Sequence, residues 1–422
     1  MIMRAVSVLL LTGVLGAGAI GAAVKMTPAP ATVTADHDWE RSRPGPDSGR
    51  VAILIDALSR TDPVVCELIG DQLGNFWSGN DNGVGRLVAA PATVLVAKDS
   101  ISGTITDQRA INRLIAELDG SNACTRRVAS KLLGNSAITG ARLSSLLSNA
   151  SANVRESAAL AAGNGDHKDA IPALQRALND QSPAVSAMAA YALGELEDHA
   201  SVPALINLLR SSDAHVKLSA ISALGQIEDE RAVPGIIATL RDPNAAIRRM
   251  SADVLGDFND DAGKAQAVDP LERVVTSDPD AKVRAEAAQS LGEISATSSA
   301  AALGKALSDA DVEVRRAAAE AIGDLDDVRV APAGLVAALS ASDPELRYRA
   351  SKAVASIADP ATTSALIGML SSPDAELRKD AVEALGKIGS QPAVQAITNA
   401  LTDRDPEVRK AAAEALGEMK DS

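Results

Sequence analysis

The chain carries one arrangement of apolar and polar positions many times over. In Val314-Arg315-Arg316-Ala317-Ala318-Ala319-Glu320-Ala321-Ile322-Gly323 the apolar residues fall at i, i+4, i+7 and i+8, a single stripe along an α-helix. Likenesses begin at Val154, Val185, Val216, Ile247, Val283, Leu346, Leu377 and Val408, so successive starts lie 31, 31, 31, 36, 31, 32, 31 and 31 residues apart. A weaker copy begins at Thr125 and a more distant one at Val65. Between copies lies a second amphipathic stretch, such as Ala200-Ser201-Val202-Pro203-Ala204-Leu205-Ile206-Asn207-Leu208-Leu209-Arg210. Two short helices per period cannot bury their apolar faces alone and must stack on their neighbours. The pattern therefore predicts an all-α fold, an α-solenoid of about ten stacked two-helix units.

The polar punctuation agrees. Asp-Pro pairs (Asp242-Pro243, Asp278-Pro279, Asp343-Pro344, Asp405-Pro406) precede the second helices. Aspartate caps free amides, and proline suits the first helical position, where no donor is needed. The glycine that closes each copy serves either as a helix stop or as a point of close approach between helices. Alanine in mid-copy lets a neighbouring helix come near. A basic residue occupies the second position of most copies (Arg126, Arg155, Lys217, Arg248, Arg284, Arg315, Arg347, Arg378, Arg409), with acids such as Asp242, Asp280, Asp311, Asp374 and Asp405 in or near the preceding turn. That row is expected to form structural ion pairs between turns and helices.

These segments resemble the HEAT-repeat superfamily in its short, phycobilisome-lyase-type form, most closely in Asp405-Pro406-Glu407-Val408-Arg409-Lys410-Ala411-Ala412-Ala413-Glu414-Ala415-Leu416-Gly417. The resemblance covers residues 106–422, with 51–74 as a further N-terminal unit. It implies the solenoid fold and says little about activity, since such arrays serve many partners. By family style it also implies a bilin-lyase or protein-hydroxylase alternative. The hydroxylases build a di-iron site from His-Glu pairs, and here His37, His167, His199 and His215 are followed by Asp, Lys, Ala and Val. A zinc HExxH motif, a phosphate-binding Gly-rich loop and a G-x-S-x-G elbow are likewise missing from the sequence. The expectation is a non-catalytic protein without a cofactor, with an accessory modifying factor or a structural spacer as alternatives.

Two places break the rhythm. Residues 75–105 do not fit the repeat and read as a loop followed by a degenerate helix or strand, so 51–105 is taken as a divergent unit plus insert. The copy between Ile247 and Val283 is five residues longer, and its extra residues are expected to emerge as a loop near Asp257-Phe258-Asn259-Asp260-Asp261-Ala262-Gly263. Asp257, Asn259 and Asp261 alternate like calcium ligands, although Gly263 stands one place late for an EF-hand loop and Val268 holds the position of its closing Glu. The competing reading is a solvated acidic connector.

Ahead of the repeats, residues 1–35 read as an export signal: Arg4 is followed by uncharged residues from Ala5 to Val24, and small residues offer cleavage sites. The apolar run could instead remain as a membrane anchor, the only membrane contact foreseen. Residues 36–50 read as a linker, and the solenoid proper as 106–422. The protein is expected in the periplasm or envelope, or secreted. Cys66 and Cys124, the only cysteines, fall near the starts of second helices and could bridge if the insert loops out; if the insert forms its own layer they lie too far apart.

Charge narrows the partners. With 41 Lys and Arg against 55 Asp and Glu the net charge is −14, and aromatic residues are 1% of the chain. So acidic a surface repels phosphate backbones, and so few rings cannot stack bases, which argues against nucleic acid. A protein partner of a monomeric scaffold is expected instead. The third and seventh positions of each copy point away from the buried stripe. Most hold charges, including the i,i+4 pairs Arg316/Glu320, Lys379/Glu383 and Lys410/Glu414. Leu160, Tyr191 and Leu218 place large apolar groups there instead, either as a partner-binding strip or as a surface covered by the N-terminal insert.

Overall fold

Each unit is a helix, a turn and a returning helix, as the two apolar stretches per period require, and in all but one unit the returning helix is the longer. The computed structural model describes residues 48–59 and 104–421, all within the unit Pro44–Ser422. Helix α1 (Ser48–Ser59) packs on the first repeat. The first helices of the repeats are α2 (Gln108–Glu117), α4 (Gly140–Leu146), α6 (Ile171–Ala177), α8 (Val202–Leu208), α10 (Val233–Thr239), α12 (Asp261–Ser277), α14 (Ala300–Ala306), α16 (Ala333–Ala338), α18 (Thr363–Met369) and α20 (Gln391–Ala400). Their partners are α3 (Ala123–Gly134), α5 (Ala152–Asn164), α7 (Pro183–Glu195), α9 (Ala214–Ile227), α11 (Ala245–Asp257), α13 (Ala281–Glu293), α15 (Val312–Asp324), α17 (Pro344–Ile357), α19 (Ala375–Ile388) and α21 (Pro406–Asp421). Among the described residues this makes ten helix pairs, and the core runs through them without a break.

Second helices pack extensively on the second helices of adjacent repeats, whereas first helices touch one another lightly. The second helices thus form one continuous, closely packed layer, termed the inner layer below, and the first helices form the other. The repeat glycines explain the spacing: a Cβ on Gly194 would stand 2.7 Å from the Cα of Ala223, and one on Gly292 would stand 2.9 Å from that of Ala321. Their role is close approach, not helix termination. The chain turns a few residues later through a left-handed residue, which is Asp166, Glu197, Glu228, Ser295, Asp327 or Ala358 and only once a glycine, Gly389.

The ion-pair row exists, but of the acids the sequence suggested only Asp242 takes part in it as a bridge to the preceding repeat. Arg155, Arg248, Arg284 and Arg378 each grip the aspartate in the next repeat's turn through Nε and Nη2, reaching Asp180, Asp278, Asp309 and Asp403 at 2.7–2.9 Å. Lys217 reaches Asp242 at 2.5 Å. The Nη1 groups of these arginines donate to carbonyls of their own turn, as in Arg248 to Asp242 O at 2.9 Å. Asp280, Asp311, Asp374 and Asp405 are spent on backbone amides at the starts of the second helices. Likewise Asp343 caps ahead of Pro344, whereas Asp242 and Asp278 do not cap: the caps there are Asn244 and Asp280. A guanidinium fork needs a carboxylate that faces it across the inter-repeat seam, and the aspartate two residues before the cap has that position.

The long repeat does not loop out. Its extra residues extend a first helix to seventeen residues in α12, with Asp260 as its cap. Helix α1 begins at Ser48, so the last three residues of the expected linker belong to it. The export segment 1–35, the copy at Val65 and most of the insert lie outside the described residues.

Candidate partner-binding face

The seventh position of the second helices is buried or half-buried in the N-terminal repeats, at Leu160, Tyr191 and Ser222, and exposed at Asp253, Gln289, Glu320, Lys352 and Glu414. Leu160 is only 4% exposed, yet it lies outside the continuous core; Tyr191 and Leu218 are half-buried. The expectation of a fully exposed strip is thus corrected. Leu160 and Tyr191 instead line a groove across α5, α7 and α9, of about 490 Å³, together with Met188, Ala187 and Pro183. Glu156, Asp213 and His215 edge it. Leu218 is not among its lining residues; it packs against the core beside it. Burial, and then the carboxylate of Glu195, push the Tyr191 hydroxyl well above its ordinary value, so the ring is neutral at any physiological pH. Whether the insert covers this strip falls on residues outside those described.

Beyond α9 the inner layer becomes acidic. Asp253 and Asp257 of α11, Glu286 and Glu293 of α13 and Asp324 of α15 face one another's fields. Burial is the first cause that raises each, and neighbouring carboxylates are the second; Glu286 is pushed up to about 7, with Asp253 its strongest acidic neighbour. Arg249 lies 3.7 Å from Glu286 and offsets part of this charge. Toward the C-terminus the layer neutralises itself: Lys352 meets Asp380 and Glu383 at 3.5 and 3.3 Å, and Lys379 meets Glu376 at 3.4 Å. Of the three expected i,i+4 pairs only Lys410–Glu414 forms, at 3.8 Å. Arg316 turns to Glu313 and Asp343, and Glu320 is taken by Arg349 of the next repeat. The neighbouring repeat competes successfully because helix packing brings its charges as near as those one turn away.

The acidic layer was the feature that position-by-position reading missed. Its signal was present in the eleventh residue of successive copies, Asp257, Glu293 and Asp324, one turn beyond the ladder considered.

The structure gives the three calcium candidates separate settings. Asp257 ends α11, Asp261 begins α12, and Asn259 between them turns its amide onto Glu228 with two 2.8 Å bonds. Among the described residues no group of three His, Cys, Asp or Glu is arranged to hold a metal. Each described histidine has a partner: His167 Nε2 lies 3.2 Å from Gly134 O, His199 Nδ1 lies 3.3 Å from Asp229, and His215 Nδ1 lies 3.7 Å from Asp213. Cys124, in the first turn of α3, is disulfide-bonded, and the chain's other cysteine, Cys66, lies outside the described residues. No described helix is long and apolar enough to cross a membrane.

Comparison with known proteins agrees with this architecture. The family model for HEAT repeats matches residues 140–224, 202–284, 268–333 and 332–417, together well over half of the chain. No curated protein matches the sequence. Among solved structures, importin beta in an ammonium sulfate condition superposes with a TM-score of 0.59 at 15% identity, covering 88% of this chain and 57% of that one. Kap95p, from a structure whose subject is its binding to RanGDP, gives 0.53 at 13% identity, with 88% and 60% covered. An engineered protein gives 0.49 at 24% identity, with 74% and 94% covered. The chain thus spans little more than half of the two importin-type chains, and the likeness is one of fold.

Proposed function

Because the chain belongs to the HEAT-repeat family, we propose that it is a non-catalytic scaffold that binds a protein partner along the inner layer of its second helices. The observation that carries this is the groove at Leu160, Met188 and Tyr191. It is an apolar depression with polar edges on a surface otherwise given to charges. A stacked array presents such a surface already ordered, so binding costs little beyond fixing side chains. Aromatic groups half-sunk in a depression are the usual anchors of interfaces. The leader-like residues 1–35 support action outside the cytoplasm, in the envelope or beyond. A photo-crosslinking amino acid at position 191, of similar size to tyrosine, tests the reading in cells. It should capture a discrete partner, and an absence of adducts at this position would count against the proposal.

A further inference from the structure

Two features of the inner layer adjoin: the apolar groove over α5–α9, and the acidic stretch over α11–α15. We propose that the groove docks an extended, lysine- or arginine-rich segment of a partner protein, with one large apolar residue seated against Leu160 and Tyr191. The inference rests on the scaffold reading above and adds the chemistry of the partner.

The argument is one of charge complementarity along a single path. At its edge the groove already carries Glu156 and Asp213. Leaving it toward the C-terminus, a bound chain crosses Leu218 on α9 and then meets Asp253 and Asp257, followed by Glu293 and Asp324. These four carboxylates are exposed. Their charged forms are disfavoured first by partial burial and then by neighbouring carboxylates, with Arg249 offsetting part of this at Asp253. A cationic side chain arriving there gains from each of them and relieves their mutual repulsion. The contrast with α17–α21 gives the path an end, since there Lys352, Lys379 and Lys410 each have an acid beside them and the eleventh position of α19 is itself a lysine, Lys387. An acidic or neutral partner would have no such gain and would face a net charge of −14.

Helix layers in such arrays repeat about every 10 Å, so Asp253 stands roughly 20 Å from Tyr191. An extended chain covers that distance in about six residues. The segment therefore has an aromatic or long aliphatic residue at one end and its first basic residues about six positions away.

Selection of random peptides about twelve residues long, displayed on phage, against the intact protein tests this directly. Enriched sequences should combine an apolar anchor with basic residues at that spacing. Tyr191→Ala should weaken them at least tenfold. The triple variant Asp253→Asn, Asp257→Asn, Glu293→Gln, which changes only exposed groups, should weaken them comparably and flatten their salt dependence. Enrichment of acidic or purely apolar peptides would overturn the proposed chemistry while leaving a binding scaffold intact. Failure to enrich any family, or self-association of the protein through this face in sedimentation, would overturn the proposal. Crosslinking at position 191 in cells reports separately on whether a protein partner exists at all.

Discussion

Ala358 sits at φ +52°, in the left-handed region that costs an L-residue about 1–2 kcal/mol. Its counterpart one repeat later is Gly389, at φ +63°, which adopts this conformation freely. Ala358→Gly should therefore stabilise the protein by up to about 1 kcal/mol, the relief of strain being partly offset by a looser unfolded chain. A higher urea midpoint at unchanged slope is the expected result. The same comparison shows what could be read at this scale. The repeat glycines were legible as special positions, but whether they end a helix or admit a neighbour depends on the Cα of Ala223 or Ala321, residues about thirty positions away. Leu160 misled for a related reason: its distance from the buried stripe was read correctly, and the flank of the adjoining helix that covers it was not.

Helices stay in register here through a seam of arginine–aspartate forks. Arg248 and Asp278 are the most enclosed pair in which both partners are linked by two short bonds, with side chains 10% and 5% exposed. Replacing Arg248 with Met would leave Asp278 buried without its cation and free the carbonyls of Asp242 and Pro243. A loss of about 3–5 kcal/mol is expected. In a linear array it should appear as weakened coupling at the α11–α13 seam, seen as a broader or split thermal transition. An unchanged single transition would show that the forks are ornamental to packing. The existence of an ion-pair row was legible from composition at the second position. Its true partners, Asp242 apart, were not, because turn aspartates that cap and turn aspartates that bridge differ by only two residues in sequence. The extended α12 shows the same limit: an insertion can be counted from the spacing, whereas helix or loop is decided by the room available in the first-helix layer.

Across the whole molecule, two sets of carboxylates pull the pH dependence of stability in opposite directions. Asp343 and Asp403 are held at about 2, first by hydrogen bonds from Arg316 and Arg378. Their pKa is depressed on folding, so their contribution is complete above the ordinary carboxylate range and is lost as pH falls toward 2. Glu286, raised to about 7 by burial and then by Asp253, works the other way. The folded state holds its proton more tightly, so stability falls as pH rises from the unfolded value through 7. Asp253, Asp257, Glu293 and Asp324 are shifted in the same direction. Melting temperature should therefore be higher near pH 5 than at pH 8, and Glu286→Gln should reduce that difference by raising stability at the alkaline end. A flat profile in the unaltered protein would remove the crowding on which the acidic layer depends.

The ten-pair solenoid was almost wholly legible in the period of the sequence, since one stacking solution satisfies so regular a stripe. The binding face was legible only in part, because a face is made by residues from several repeats whose relative depth the period does not record. The central claim, that a protein partner occupies the inner layer at the groove, is tested most directly by crosslinking from two positions in cells: Tyr191, and Lys305 on the exposed side of α14. The account predicts a discrete adduct from position 191 and none from position 305, with the captured peptide rich in lysine or arginine. Adducts from both positions alike, or from 305 alone, would contradict it.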